Sequence, residues 1–289
     1  MRSMVTGKDP RSCGRVTHGG VIMGDIAQID HRVLDRPEIL NFLFYPRREG
    51  GFPKPAGAAC DVQIPVDEHV TVGARFHHAQ TAAPTVLFFH GNGEIVADYD
   101  EIGPFYIRKG INFLPVDYRG YGRSTGTPTV TAMMRDCHMI FEYILKWLAE
   151  GGYTGPLAVM GRSLGSASAL ELAANYQDRI AGLIIESGFA YLMPLLRLMG
   201  VSPLRMGISE EDGCQNIQKI RTFDKPTLII HAQFDQIIPF SDGEALYEAG
   251  AARDKRLLMI PGADHNTIFM RGFEDYMAAI GDFLKRIAD

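Results

Sequence analysis

From residue 62 onward the chain alternates short β-branched or aromatic runs with longer stretches whose apolar residues recur every third or fourth position. The runs 62–66 and 70–76 lie close together and predict an antiparallel pair. Pro65 sits inside the first and assigns it to a sheet edge or a bend, because proline has no N–H to give to a ladder. The following runs, at 85–89, 111–116, 157–160, 183–185, 227–230 and 257–260, are apolar without interruption. That is the pattern of strands covered on both faces in a parallel sheet. Between them Met133, Cys137, Ile140, Ile144 and Leu148 mark one face of a long helix, and 164–176 and 273–287 read as further helices. Strand–helix alternation of this kind implies right-handed crossovers, hence an α/β fold with a mainly parallel sheet flanked by helices.

One interval breaks the rhythm. About 40 residues between Glu186 and Pro226 contain no strand pattern, and their first part is strongly apolar. An insertion of that length following a strand is either a packing element or a functional lid.

Composition narrows the field. The chain has 289 residues, 46% of them hydrophobic and 22% charged, as in an ordinary folded protein, and α/β folds of this length often form one domain. A net charge of −5 argues against a nucleic-acid partner. Cys13, Cys60, Cys137 and Cys214 are widely spaced, which predicts no disulfide framework and a reducing, cytoplasmic setting. No run approaches the ~20 apolar residues of a transmembrane segment. Residues 1–22 carry Arg2, Lys8, Arg11 and Arg15 without an apolar signal core and read as a poorly ordered N-terminal arm. Met23 stands just before the first patterned sequence, so 23–289 is the expected domain, with the insertion at about 187–225.

The sharpest chemical signal is Gly161-Arg162-Ser163-Leu164-Gly165, a G-x-S-x-G turn between a strand and a helix. Such a turn presents its serine as a nucleophile, and a serine hydroxyl needs a base and an orienting carboxylate before it reacts. His265, after the last strand run, is the candidate base, and Asp235, after the run 227–230, the candidate acid. Ser163, Asp235 and His265 each follow the C-terminal end of a predicted strand, so all three project toward one edge of the sheet. Glu186 and Asp264 are rival acids, with Asp235 favoured because Asp264 adjoins His265 and would point elsewhere. A developing oxyanion needs two backbone N–H donors. Leu164 offers one. The loop His90-Gly91-Asn92 offers the other, assigned to Asn92 with Gly93 second, while His90 is read as structural. The segment 117–124 is glycine-rich but lacks a phosphate-loop pattern, and His77-His78 has no partner cluster for a metal.

Taken together, HGN at 90–92, DYRGYGRS at 117–124, GRSLG at 161–165, D-x-x-I-P at 235–239 and GADH at 262–265 make the chain, from about residue 61 to its end, resemble the α/β-hydrolase superfamily. The resemblance is nearest to bacterial serine hydrolases and eukaryotic protein depalmitoylases. It implies an α/β-hydrolase fold, an eight-stranded, mostly parallel sheet flanked by helices with a small helical cap after strand six. Ala232 stands where glycine is frequent, and Glu94 brings a carboxylate to the oxyanion loop that would disfavour anionic substrates.

The expected activity is hydrolysis of a carboxylic ester or thioester through an acyl-enzyme on Ser163, with no cofactor and no metal. The expected partner is a small-molecule ester, thioester or acylated substrate. Gly93, Phe189, Leu192, Met193, Leu196 and Ile237 are the substrate-pocket candidates, and the apolar stretch 189–199 is either a lid over an acyl chain or a helix packed on the body. A small-peptide or amide hydrolase and a non-catalytic binding protein on the same scaffold are the alternatives.

Overall fold

Eight strands hydrogen-bond into one sheet: β1 (Ala59–Asp67), β2 (Val70–His77), β3 (Thr85–Phe89), β4 (Asn112–Val116), β5 (Leu157–Arg162), β6 (Gly182–Glu186), β7 (Thr227–Ala232) and β8 (Lys255–Ile260). Their order is β1-β2-β4-β3-β5-β6-β7-β8. The computed structural model describes residues 30–50 and 59–289; the expected arm at 1–22 and Met23 lie outside the described residues. β2 is antiparallel to both β1 and β4, and every other pairing is parallel. Pro65 falls on the edge strand β1, beside an irregularity between Pro65 and Asp67.

The central strands are apolar over most of their length because each face has its own cover. Leu87, Phe89, Val159, Ile185 and Ile229 point to one side, where they join Met133, Cys137, Ile140 and Ile144 of α3 (Val130–Glu150) and Leu170 of α4 (Gly165–Asn175). Their chain neighbours Val86, Phe88, Met160, Ile184 and Leu228 point to the other, against Tyr276, Met277, Ile280 and Phe283 of α8 (Ile268–Ala288). Each of these large side chains, once fully buried, contributes roughly 1.5–3 kcal/mol. α8 begins five residues before the predicted 273–287. Gly272 interrupts its helical backbone, and a Cβ there would lie 2.4 Å from Ile260, so the helix gives up regularity to lie close on β8.

Four shorter helices complete the fold: α1 (Pro37–Leu43), α2 (Gly103–Arg108), α5 (Leu192–Leu198) and α6 (Asn216–Ile220), together with α7 (Phe240–Ala249) after β7. α5 and α6 form the small cap after the sixth strand. The Glu210 carboxylate accepts the N–H groups of Leu192 (2.6 Å) and Met193 (2.9 Å), and Asn216 donates to the Phe189 carbonyl at 2.8 Å. Phe189, Leu192 and Leu196 are buried in the core, the arrangement of a helix docked on the body. Cys60 is disulfide-bonded, against the expectation of a chain without such cross-links, whereas Cys137 and Cys214 are free and buried. Among the described residues no helix is long and apolar enough to cross a membrane.

Candidate active site

Ser163 occupies the turn between β5 and α4 with φ +51°, the left-handed region that an L-residue enters only at a cost. The flanking glycines are required by backbone packing. A Cβ on Gly161 would fall 2.3 Å from the Gly165 carbonyl oxygen, and one on Gly165 would fall 2.1 Å from the Phe89 carbonyl oxygen. The turn is held from both ends: Ser163 N–H donates to the Glu186 carbonyl at 2.9 Å, and the Ser163 carbonyl accepts from Ser166 N–H (3.0 Å) and Oγ (2.7 Å).

The loops after β7 and β8 bring two further side chains to this serine. His265 Nε2 lies 3.0 Å from Ser163 Oγ, and its Nδ1 lies 2.7 Å from Asp235 Oδ2. The other oxygen, Asp235 Oδ1, accepts the N–H groups of Ile237 (3.0 Å) and Ile238 (2.8 Å). Burial alone would push the Asp235 carboxyl up, but the hydrogen bond and charge of His265 and the Ile238 N–H hold it below the usual carboxylate range. The three side chains therefore form one buried chain of contacts in which an ionised acid faces the imidazole.

Neither rival acid is in that chain. Asp264 Oδ1 accepts the N–H groups of Asn266 and Thr267, both at 3.0 Å, so it caps its own loop. Glu186 Oε1 accepts from Arg162 Nε at 3.0 Å and Oε2 from the Tyr276 hydroxyl at 2.7 Å. A histidine that sequence reasoning passed over, His231, donates from Nε2 to the Ile238 carbonyl at 2.8 Å and lies 3.6 Å from Asp235 Oδ2. Desolvation lowers its affinity for a proton, so it steadies the acid's loop as a neutral ring.

After β3 the chain enters the loop 90–94. His90 is fully buried, with Nδ1 2.8 Å from the Gly91 carbonyl and Nε2 3.3 Å from Asp117 Oδ1, while Tyr118 donates to its carbonyl at 2.7 Å. Asn92 Oδ1 accepts from Tyr45 N–H and the Tyr121 hydroxyl, each at 2.7 Å. Among the described residues no backbone partner occupies the N–H of Asn92 or of Leu164. In the segment 117–124, Arg119 pairs with Asp136 and Arg123 with Asp61 and Glu49, contacts of a structural loop.

Glu94 has a different setting from the one its position suggests. Its Oε2 accepts the Gly91 N–H and the Tyr99 hydroxyl, each at 2.7 Å, and its Oε1 is paired with Arg162. Burial opposes its charge, but Arg162 together with the Tyr99 hydroxyl and the Gly91 N–H outweighs this and holds the carboxyl below its ordinary range. The carboxylate expected to disfavour anionic substrates is thus ion-paired inside the fold, with a guanidinium that it shares with Glu186. Sequence reasoning missed Arg162, although a charged residue closing a strand as apolar as β5 signals that partners await it inside.

Of the pocket candidates, Ile237 is on the acid's loop and Gly93 (φ +77°) follows Asn92. Leu192, Met193 and Leu196 of the cap helix α5, and Phe189 before it, are buried.

Residues 80–200 match the model of the family described as "Serine aminopeptidase, S33". The protein bem46 of Schizosaccharomyces pombe is 30% identical over 206 residues, covering 70% of this chain and 67% of the relative. Alpha/beta hydrolase domain-containing protein 17B of Homo sapiens is 32% identical over 211 residues, covering 70% and 66%. The chain thus spans about two thirds of the length of these relatives. In fold it is similar to an esterase of Pyrococcus furiosus, with a TM-score of 0.68 at 20% identity over 83% of this chain and 98% of that one. A monoacylglycerol lipase of Paleococcus ferrophilus gives 0.58 at 18% identity over 76% and 99%.

Proposed function

The chain belongs to the α/β-hydrolase superfamily, and from that premise we propose that it is a serine hydrolase cleaving carboxylic esters or thioesters through an acyl-enzyme intermediate. The observation that carries this reading is the unbroken contact chain from Ser163 Oγ through His265 to Asp235. In the proposed reaction His265 Nε2 takes the hydroxyl proton as Ser163 Oγ attacks the acyl carbon. Asp235 holds Nδ1–H, so the nitrogen facing the serine is the basic one, and it stabilises the imidazolium that forms. The N–H groups of Leu164 and Asn92 are assigned to the oxyanion, each worth about 2.7–4 kcal/mol in the barrier. His265 then gives the proton to the leaving alcohol or thiol; in the second half it deprotonates the water that attacks the acyl carbon and passes that proton to Ser163 Oγ as the Oγ–acyl bond breaks and the acid leaves.

Hydrolysis of p-nitrophenyl acyl esters by the wild-type protein, abolished in a folded Ser163→Ala variant, is the expected result. Unchanged turnover in that variant refutes the assignment. A fluorophosphonate that fails to label Ser163 would favour a non-catalytic binding protein.

A second reading, hydrolysis of small-peptide amides, draws on the match to the serine aminopeptidase family. It ranks lower because Glu94 and Glu186 are both engaged with Arg162 and are not available to grip a substrate ammonium group. Aminoacyl p-nitroanilides offered beside acyl esters separate the two.

A further inference from the structure

Arg162 precedes the nucleophile, is 8% exposed, and uses its guanidinium in three directions. Nη2 donates to the His265 carbonyl at 2.7 Å, Nε donates to Glu186 Oε1 at 3.0 Å, and Nη1 pairs with Glu94. Glu94 in turn accepts the Gly91 N–H, so one side chain links the loop proposed to bind the oxyanion with the main chain of the proposed base. Tyr99 and Tyr276 donate to the remaining carboxylate oxygens, each at 2.7 Å.

As a source of stability this cluster is a poor choice, since desolvating three ionic groups offsets most of their attraction and apolar side chains would fill the space as well. What it supplies is direction, because a guanidinium presents its N–H groups in a fixed planar fork. We propose that Arg162 is a positioning residue that holds the His265 main chain and the 91–92 loop in register with Ser163. The proposal rests on the hydrolytic reading of Ser163, His265 and Asp235. Arg162 itself touches no reacting atom. It acts by fixing the carbonyl of the residue whose imidazole takes the proton, and through Glu94 by fixing the residue before Asn92. Misplacing either group by 1 Å can cost about a hundredfold in rate.

The test compares the wild type with Arg162→Lys, Glu94→Gln and the double variant, reading kcat and KM on a p-nitrophenyl ester, the rate of fluorophosphonate labelling, and Tm. Lysine keeps the charge but serves one direction at a time. The expected result is a kcat at least tenfold lower in Arg162→Lys with KM within twofold, and a parallel fall in labelling rate. In the double variant the loss should be smaller than the product of the two single losses. A folded Arg162→Lys with kcat and labelling within twofold of wild type overturns the proposal, as does a change confined to KM. Should that variant not fold, Glu94→Gln decides, since glutamine still accepts the Gly91 N–H but gives up the ion pair. Wild-type kcat in Glu94→Gln then overturns the proposal. The hydrolytic reading is judged separately, by the wild type against Ser163→Ala.

Discussion

The N–H of Ser163 donates to the carbonyl of Glu186 at 2.9 Å, so a residue in the left-handed region is fastened to the neighbouring strand β6. The left-handed backbone costs an L-residue about 1–2 kcal/mol, which glycine does not incur. Ser163→Gly is therefore expected to be more stable than Ser163→Ala, by roughly 1 kcal/mol, with both inactive. Urea unfolding of the two variants measures the difference, and an equal or lower stability for Ser163→Gly contradicts the strain argument.

Asp235→Asn leaves Oδ1 free to accept the Ile237 and Ile238 N–H groups but turns an amide N–H toward His265 Nδ1. The imidazole is then driven to the tautomer with its proton on Nε2, where it donates to Ser163 Oγ instead of accepting. The expected loss in kcat is on the order of 10⁴ with little change in Tm. Steady-state kinetics with near-UV circular dichroism checks both, and retention of more than a tenth of the activity contradicts the role given to Asp235.

Glu171 on α4 accepts from His138 Nε2 at 3.2 Å and pairs with Lys219 of α6. Burial would raise its carboxyl, but His138 and Lys219 prevail and push it down to about 2. A carboxylate with a depressed folded-state value contributes stability that is complete above its unfolded value, about 4.5, and is lost as pH falls toward 2. The contribution is on the order of 3 kcal/mol. Glu171→Gln should be less stable near neutrality and show a shallower decline in stability between pH 4.5 and pH 2. Unfolding curves across that range give the slope, and identical slopes in the two proteins would exclude this linkage.

Leu196, on the inner face of the cap helix α5, is wholly buried in the core. Leu196→Ala should cost about 3 kcal/mol of stability while kcat on short acyl esters stays within twofold. A mobile lid would give the opposite pattern, with little change in Tm and a marked change in acyl-length preference.

The inner strands were legible because each is short, mainly apolar and bounded by polar turns, and β1, longer and mixed in character, announced its edge position through Pro65. The ends of the helices were less so. Gly272 breaks the pattern at the start of α8, and α7 buries little more than Gly243 and Leu246, too thin a stripe to declare itself. At the site, Ser163, Asp235 and His265 were legible because each sits just past a strand end, which fixes its direction. The Arg162 cluster was not. Its partners Glu94, Glu186 and the His265 carbonyl are 68, 24 and 103 residues away, and only the folded sheet brings them together. His231 was hidden for another reason: it lies only four residues from Asp235, and its proximity to that carboxylate follows from a tight loop and not from any motif.

Gly165 rests against the main-chain oxygen of Phe89, with no side chain intervening. Contact of that kind is indifferent to the identity of the residues around it, so the rims of the cleft are free to diverge without recalibrating the reactive centre. New specificities on this scaffold would then arise by redrawing the periphery, while the pivot beneath it stays as it is.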